Sequence, residues 1–232
     1  MLKIFNRIFE WIKLLLLNLK ITLHQIYEYL RVIVKYYSHG SFYQIDIYLL
    51  LAYLFDNPFK VSKRFLLRKG DRDIYTYGET PLTTLDLLAR RCNISAKDLV
   101  FELGCGRGRS CFWLNQLIGC RVVGIDYVPE FINRASKVKE KFHLETVEFR
   151  LEDILSTDLT GATVIYLYGT CLPDALILQL IQHLMRLPKG TKIITVSFSL
   201  ADYYPNATFK VVDYFPASFT WGMGDVYLSE VS

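Results

Sequence analysis

Val100-Phe101-Glu102-Leu103-Gly104-Cys105-Gly106-Arg107-Gly108 runs a short apolar strand into three alternating glycines. With Leu99 before it, the five-residue run Leu99–Leu103 has four large apolar side chains and reads as a buried strand, and glycines let the chain turn sharply and come close to a ligand. Ser110–Ile118 then keep helical apolar spacing until Gly119 stops them. A glycine turn at the carboxyl end of a strand is where open α/β sheets bind their ligands.

The pattern continues on both sides. Thr80-Pro81 reads as an N-cap followed by Pro at the first helical position, with Leu82, Leu85, Leu88 and Cys92 on one face. Arg121–Ile125 is a second strand and Pro129–Val138 a helix. Val147, Phe149 and Leu151 mark a third strand, Ala162–Tyr168 a fourth, Asp174–Leu187 a helix and Lys192–Phe198 a fifth strand. Two β-like runs, Thr208–Tyr214 and Val226–Val231, close the chain without a helix between them. The expected fold is α/β: a doubly wound, seven-stranded, mostly parallel sheet with a C-terminal antiparallel hairpin, preceded by an apolar helical N-terminal arm. The expected domains are the arm (1–56), a basic linker (57–74) and a catalytic body (75–232).

Composition narrows the class. The 232 residues are 52% hydrophobic and 22% charged, which excludes wholesale disorder. Cys92, Cys105, Cys111, Cys120 and Cys171 are odd in number, lack Cys-x-x-Cys spacing and read as buried, reduced thiols, so neither a disulfide scaffold nor a zinc site is expected. Residues 1–40 carry six basic and two acidic residues, which accounts for the whole net charge of +4. The remainder is neutral, which disfavours a nucleic-acid partner.

Within the arm, Lys3, Arg7, Glu10, Lys13, Lys20, His24, Glu28, Arg31 and Lys35 follow the helical period as one polar stripe on an otherwise apolar helix. Lys13 and Lys20 interrupt the run too often for a membrane span. A helix lying in the membrane interface fits it, with packing on the body or a partner subunit as the alternative. The run Ile47–Phe55 is too short to cross. Lys60, Lys63, Arg64, Arg68, Lys69 and Arg72 form a basic cluster that suits anionic lipid or an acidic surface, or serves as a solvated connector.

The chemistry is read from four positions. Gly104, Gly106 and Gly108 space as G-x-G-x-G, and Arg109 stands where a dinucleotide fingerprint needs its third glycine. Glu102, two residues before the first glycine, suits an ammonium group and repels a pyrophosphate. Asp126, at the end of the second strand, is placed to accept two ribose hydroxyls. Glu152-Asp153-Ile154 after the third strand can take an adenine amino group. An amino-acid end, a free ribose and an adenine together describe S-adenosylmethionine.

At these residues the chain resembles the class I, Rossmann-like S-adenosylmethionine-dependent methyltransferases over about residues 75–232. More narrowly, it is similar to the non-SET, disruptor-of-telomeric-silencing type of histone lysine methyltransferases. Tyr77-Gly78-Glu79-Thr80, Asp98–Arg109, Thr163–Tyr166, Phe219-Thr220-Trp221-Gly222 and Tyr227-Leu228 carry that similarity. Where that family has paired asparagines after the fourth strand, this chain has Tyr168-Gly169. Small membrane-anchored lysine methyltransferases of the ATP-synthase c-subunit type offer a second likeness. The resemblance implies that Tyr77, Glu79 and Thr80 fold over the cofactor.

The candidate cofactor-binding set is therefore Tyr77, Glu79, Thr80, Glu102, Gly104, Cys105, Gly106, Gly108, Asp126, Tyr127, Asp153 and Ile154. Tyr168 and Trp221 are the candidate catalytic residues, with Tyr166 and Phe198 as further channel candidates. Arg107 and Arg109 read as solvated loop positions. The expected reaction is methyl transfer to a protein side chain, a lysine, by a cytoplasmic enzyme peripheral to a membrane. A lipid or small-molecule acceptor, or a nucleotide-binding scaffold without activity, is the alternative.

Overall fold

The computed structural model describes residues 2–38, 40–71, 73, 76–204 and 208–232. The side chains of Lys3, Arg7, Lys20 and His24, and all of Arg72, lie outside the described residues.

Seven strands form one sheet in the order β3-β2-β1-β4-β5-β7-β6. They are β1 (Leu99–Leu103), β2 (Arg121–Asp126), β3 (Val147–Leu151), β4 (Val164–Leu167), β5 (Lys192–Val196), β6 (Phe209–Phe219) and β7 (Gly222–Val231). The first five pair in parallel, and β7 runs antiparallel to both β5 and β6. Register follows the period of two along each strand. Phe101 lies between Val123 and Ile165, and these three bury themselves on one face with Ile193. Val100, Val122, Val164 and Ile194 bury themselves on the other.

Helices cover both faces. On the first lie α7 (Asp174–Leu184) and the short α8 (Leu200–Tyr203). On the second lie α4 (Leu82–Arg91) and α5 (Arg109–Trp113), and α6 (Pro129–Lys141) covers the β2–β3 end. The single helix expected over Ser110–Ile118 is instead α5 followed by a π-helical turn, Leu114–Ile118, which Gly119 ends at a φ of 81°. The final hairpin is longer than its sequence pattern, because Trp221 and its neighbours form the tight turn of two long strands rather than a loop between short ones. Strand β5 stops at Val196, where Ser197 takes a φ of 69°. Phe198 consequently packs on the α7 face with Tyr203.

The arm holds two helices, and a third follows it. α1 (Leu2–Tyr36) buries only its carboxyl end among its described side chains, with Val32 and Tyr36 in the core and Tyr36 edge-on to Trp113 at 5.4 Å. Trp11, Leu15, Leu19, Leu23, Ile26 and Leu30 are exposed. Among the described residues no helix is long and apolar enough to cross a membrane. α2 (Phe42–Ala52) does the opposite, burying Phe42, Ile45, Asp46 and Leu49 beside α5 and α6. Residues expected as linker form α3 (Pro58–Lys69). Asn57 caps it by accepting from the Phe59 N–H at 2.8 Å, and Pro58, Val61, Ser62 and Leu66 are buried. A basic sequence hides an amphipathic helix here because its apolar positions recur at helical spacing.

Candidate functional site

The glycine loop is fixed by backbone bonds before any side chain acts. Gly104 and Cys105 N–H groups both donate to the Ile125 carbonyl, at 2.8 and 2.9 Å. Asp126 completes the tie: its carboxylate accepts from the N–H of Gly106 and of Val128, each at 2.8 Å. Two of the glycines are sterically required. A Cβ at Gly106 (φ +53°) would sit 2.9 Å from the Tyr77 ring, and one at Gly108 (φ +75°) would sit 2.5 Å from Phe149.

One cleft opens above this loop, lined by Tyr77, Gly78, Glu79 and Thr80 on one side and Glu102, Gly104 and Cys105 on the other, with Tyr168 at its mouth. Glu102 is 6% exposed and accepts from the Ser110 hydroxyl at 2.6 Å and the Cys111 thiol at 3.0 Å. Among the described residues no cation pairs with it. Burial, with Asp126 and Glu79 nearby, pushes its carboxyl up to about 7. Burial likewise pushes Asp126 up to about 6, against the pull of its backbone hydrogen bonds.

Glu79 is the contrast. Burial raises its carboxyl, but Arg107 overrides burial and holds it below the ordinary value. Arg107 donates to it at 2.7 Å and the Tyr77 hydroxyl at 2.5 Å. Arg107 is thus buried in the site wall. Arg109 is largely removed from solvent as well. Its guanidinium donates twice to Asp46 of α2, both at 2.7 Å, and the Asp46 side chain is fully buried. The expectation of solvated loop arginines fails because each meets a carboxylate from a segment distant in sequence.

Thr80 is not the cap expected of it. Pro81 occupies the cap position of α4 without a side-chain bond. The Thr80 hydroxyl instead shares a short hydrogen bond with the Tyr166 hydroxyl. Tyr166 is a core residue under the cleft, 2% exposed, and does not line it. Tyr168 does: its ring approaches Gly78, and its hydroxyl accepts from the Trp221 indole at 2.7 Å. Trp221 stacks on Phe219 with centroids 5.5 Å apart and remains 53% exposed.

The structure therefore gathers Tyr77, Glu79, Thr80, Glu102, Gly104, Cys105 and Tyr168 around one cleft, half of the expected residues. Asp126 adjoins the cleft through Gly106. Tyr127, Asp153 and Ile154 lie off its lining; α3 brings Phe65 against the Tyr127 ring at 5.3 Å and Lys69 over it at 4.6 Å, while Ile154 packs on the α7 face. Asp153 is exposed and caps its own turn by accepting from Leu155 N–H at 2.9 Å. Cys171 is exposed rather than buried, unlike the other four cysteines. Asp46 and Arg109 were not read from sequence as a pair. The available signal was a single carboxylate inside the apolar run of α2, which a buried face accepts only when paired.

The methyltransferase domain family matches residues 94–212, and the chain belongs to that family. Its domain is that of an S-adenosylmethionine-dependent methyltransferase. An RNA methyltransferase from Salinibacter ruber, solved with S-adenosyl-L-homocysteine, is similar at 27% identity and a TM-score of 0.53, over 66% of this chain and 93% of that one. A geranyl diphosphate C-methyltransferase from Streptomyces coelicolor shares the fold at 13% identity and a TM-score of 0.54, over 65% of this chain and 78% of that one. Among curated proteins, a histone-lysine N-methyltransferase specific for H3 lysine-79, from Dictyostelium discoideum, is 24% identical over 65% of this chain. An arsenite methyltransferase from Halobacterium salinarum is 34% identical over 32% of it. The chain spans 9% and 19% of the lengths of these two relatives.

The site fits the donor on its own terms. A buried carboxylate that no cation pairs with among the described residues, in a cleft whose two arginines, Arg107 and Arg109, are taken by Glu79 and Asp46, has the charge to take an ammonium group. Asp126 uses its oxygens on backbone N–H groups yet keeps further lone pairs for hydroxyls.

Proposed function

We propose that the protein moves a methyl group from S-adenosylmethionine to a lysine side chain of a protein, working in the cytoplasm at a membrane surface. The observation that carries the lysine reading is the aromatic wall at the mouth of the cleft. Tyr168 lines the cleft, backed by buried Phe219 with rings 5.6 Å apart and hydrogen-bonded to exposed Trp221. Aromatic faces attract a cationic amine, and a dry site favours the neutral amine that attacks. The similarity to a histone-lysine methyltransferase supports the same acceptor.

When bound, the donor supplies an electrophilic methyl on a sulfonium. Glu102 takes the ammonium end, and Asp126 takes the ribose. Tyr127, Asp153 and Ile154 face the adenine, and the Tyr77–Thr80 segment covers the donor. Gly104, Gly106, Gly108 and Cys105 supply the close-fitting loop. Tyr168 and Trp221 orient the amine and exclude water. Alignment of nucleophile and methyl is the main requirement, since the donor is already activated. The exposed apolar face of α1 gives the peripheral attachment.

A second reading, methylation of RNA, draws on the solved RNA methyltransferase that this chain matches over most of that protein's length. Incubation of a cell lysate with tritiated donor separates the readings. Label recovered as methyl-lysine after protein hydrolysis is the expected result, and Asp126→Ala abolishes it. Label confined to RNA, or to the organic extract, overturns the lysine assignment.

A further inference from the structure

A second cavity lies outside the donor cleft, between α3 and the amino end of α6. It measures about 410 Å³, a size suited to a small ligand. Its floor is apolar (Val61, Phe65, Val128, Pro129), and its rim holds Arg64, Arg68, Arg134 and Lys137 against one carboxylate, Glu130. Arg64 and Arg134 are already neutralised. Both share Asp56 and Glu130, with Arg64 2.9 Å from each. Arg68 and Lys137 have no carboxylate partner among the described residues and stay exposed at the rim. Two unmatched cations beside an apolar floor call for an anion carrying an apolar body.

Beside this cavity the chain turns from α2 to α3 and exposes Leu51, Leu54 and Phe55, the last at 96%. The knob lies outside the cavity lining but is tied to it through the rim residue Arg134. Arg134 donates to the Ala52 carbonyl at 2.7 Å and to Asp56 at 3.1 Å, on either side of Leu54 and Phe55. Arg134, itself on the rim, thereby ties the base of the apolar tip to α6. Exposed phenylalanine alone could stack on a base, but aliphatic Leu51 and Leu54 gain nothing from stacking and much from a hydrocarbon phase.

We propose that this cavity binds the phosphate headgroup of an anionic phospholipid, with Arg68 and Lys137 on the phosphate and Leu54 and Phe55 inserted among the acyl chains. The proposal shares its membrane setting with the reading of α1 given above but names a separate site. It sets the orientation of the catalytic body, which a helix attached by one end does not fix.

The test uses the full chain and vesicles of phosphatidylcholine, with or without phosphatidylglycerol. The wild type is expected to prefer the anionic vesicles, and Arg68→Gln/Lys137→Gln to lose about thirtyfold of that preference. Lys97→Gln/Lys189→Gln, at two exposed lysines away from the cavity, is expected to change it little. Phe55→Ser weakens attachment to both vesicles. Unchanged heat of S-adenosylmethionine binding shows that each variant is folded. Equal losses from the two lysine-containing double variants, or no loss from either Arg68→Gln/Lys137→Gln or Phe55→Ser, overturn the proposal. So does glycerophosphate or single-stranded RNA binding the cavity as tightly as the vesicles do. A Trp11→Glu/Leu15→Glu chain reads attachment through α1 separately, so that failure of one membrane contact is told from failure of the other.

Discussion

The two sides of the glycine loop treat buried charge in opposite ways. On the arm side, Arg109 and Asp46 form a complete pair: two charges, two hydrogen bonds, no solvent at the carboxylate. On the cleft side, Glu102 is also buried, but among the described residues its hydrogen-bond partners are a hydroxyl and a thiol and no cation, and its carboxyl is pushed up to about 7. A charge that the chain itself completes belongs to the scaffold. A charge left incomplete at the edge of a cleft is reserved for something that arrives.

That contrast can be broken experimentally. Asp46→Asn leaves Arg109 buried and uncompensated and should cost about 3–5 kcal/mol of stability in denaturant titration. A loss below about 1 kcal/mol would mean the arm is not part of the scaffold. Glu102→Gln should leave stability intact at neutral pH yet weaken donor binding by roughly ten- to a hundredfold by calorimetry.

The same residue sets a pH dependence. The folded carboxyl lies above its ordinary value of 4.5, so its contribution to stability is full below that pH and is lost as the pH rises through about 7. Donor affinity moves the other way, increasing through the same window as Glu102 ionises. The Glu102→Gln chain should show neither trend.

Smaller effects sharpen the picture. Gly106→Ala forces a left-handed residue and crowds Tyr77, for about 1–2 kcal/mol in thermal unfolding. Leu15→Gln, on the exposed part of α1, should stay within about 0.5 kcal/mol.

The sheet was legible from sequence because its signals are local. Runs such as Leu99–Leu103 and Lys192–Val196 alternate between two buried faces, and glycine and proline punctuate them. The glycine turn at the end of β1 was legible for the same reason, its loop being one continuous stretch. Partners across long loops were not. Arg109 and Asp46 lie 63 residues apart, and Thr80 and Tyr166 lie 86 apart. Neither local spacing nor propensity encodes such pairs, so the arginines read as solvated and Thr80 as a cap. The helix α3 was masked by its charge: six basic residues between Lys60 and Arg72 outweighed the apolar face of Val61 and Leu66.

At 1.5 Å per residue, the 35 residues of α1 make a rod roughly 50 Å long, packed into the body at one end. A rod of fixed length sets a working radius. Whatever seats its far end confines the catalytic mouth to a shell around that point, and acceptors within the shell meet it at raised effective concentration. Lengthening or shortening the rod by whole turns would change which acceptors are reached without altering a single residue of the cleft.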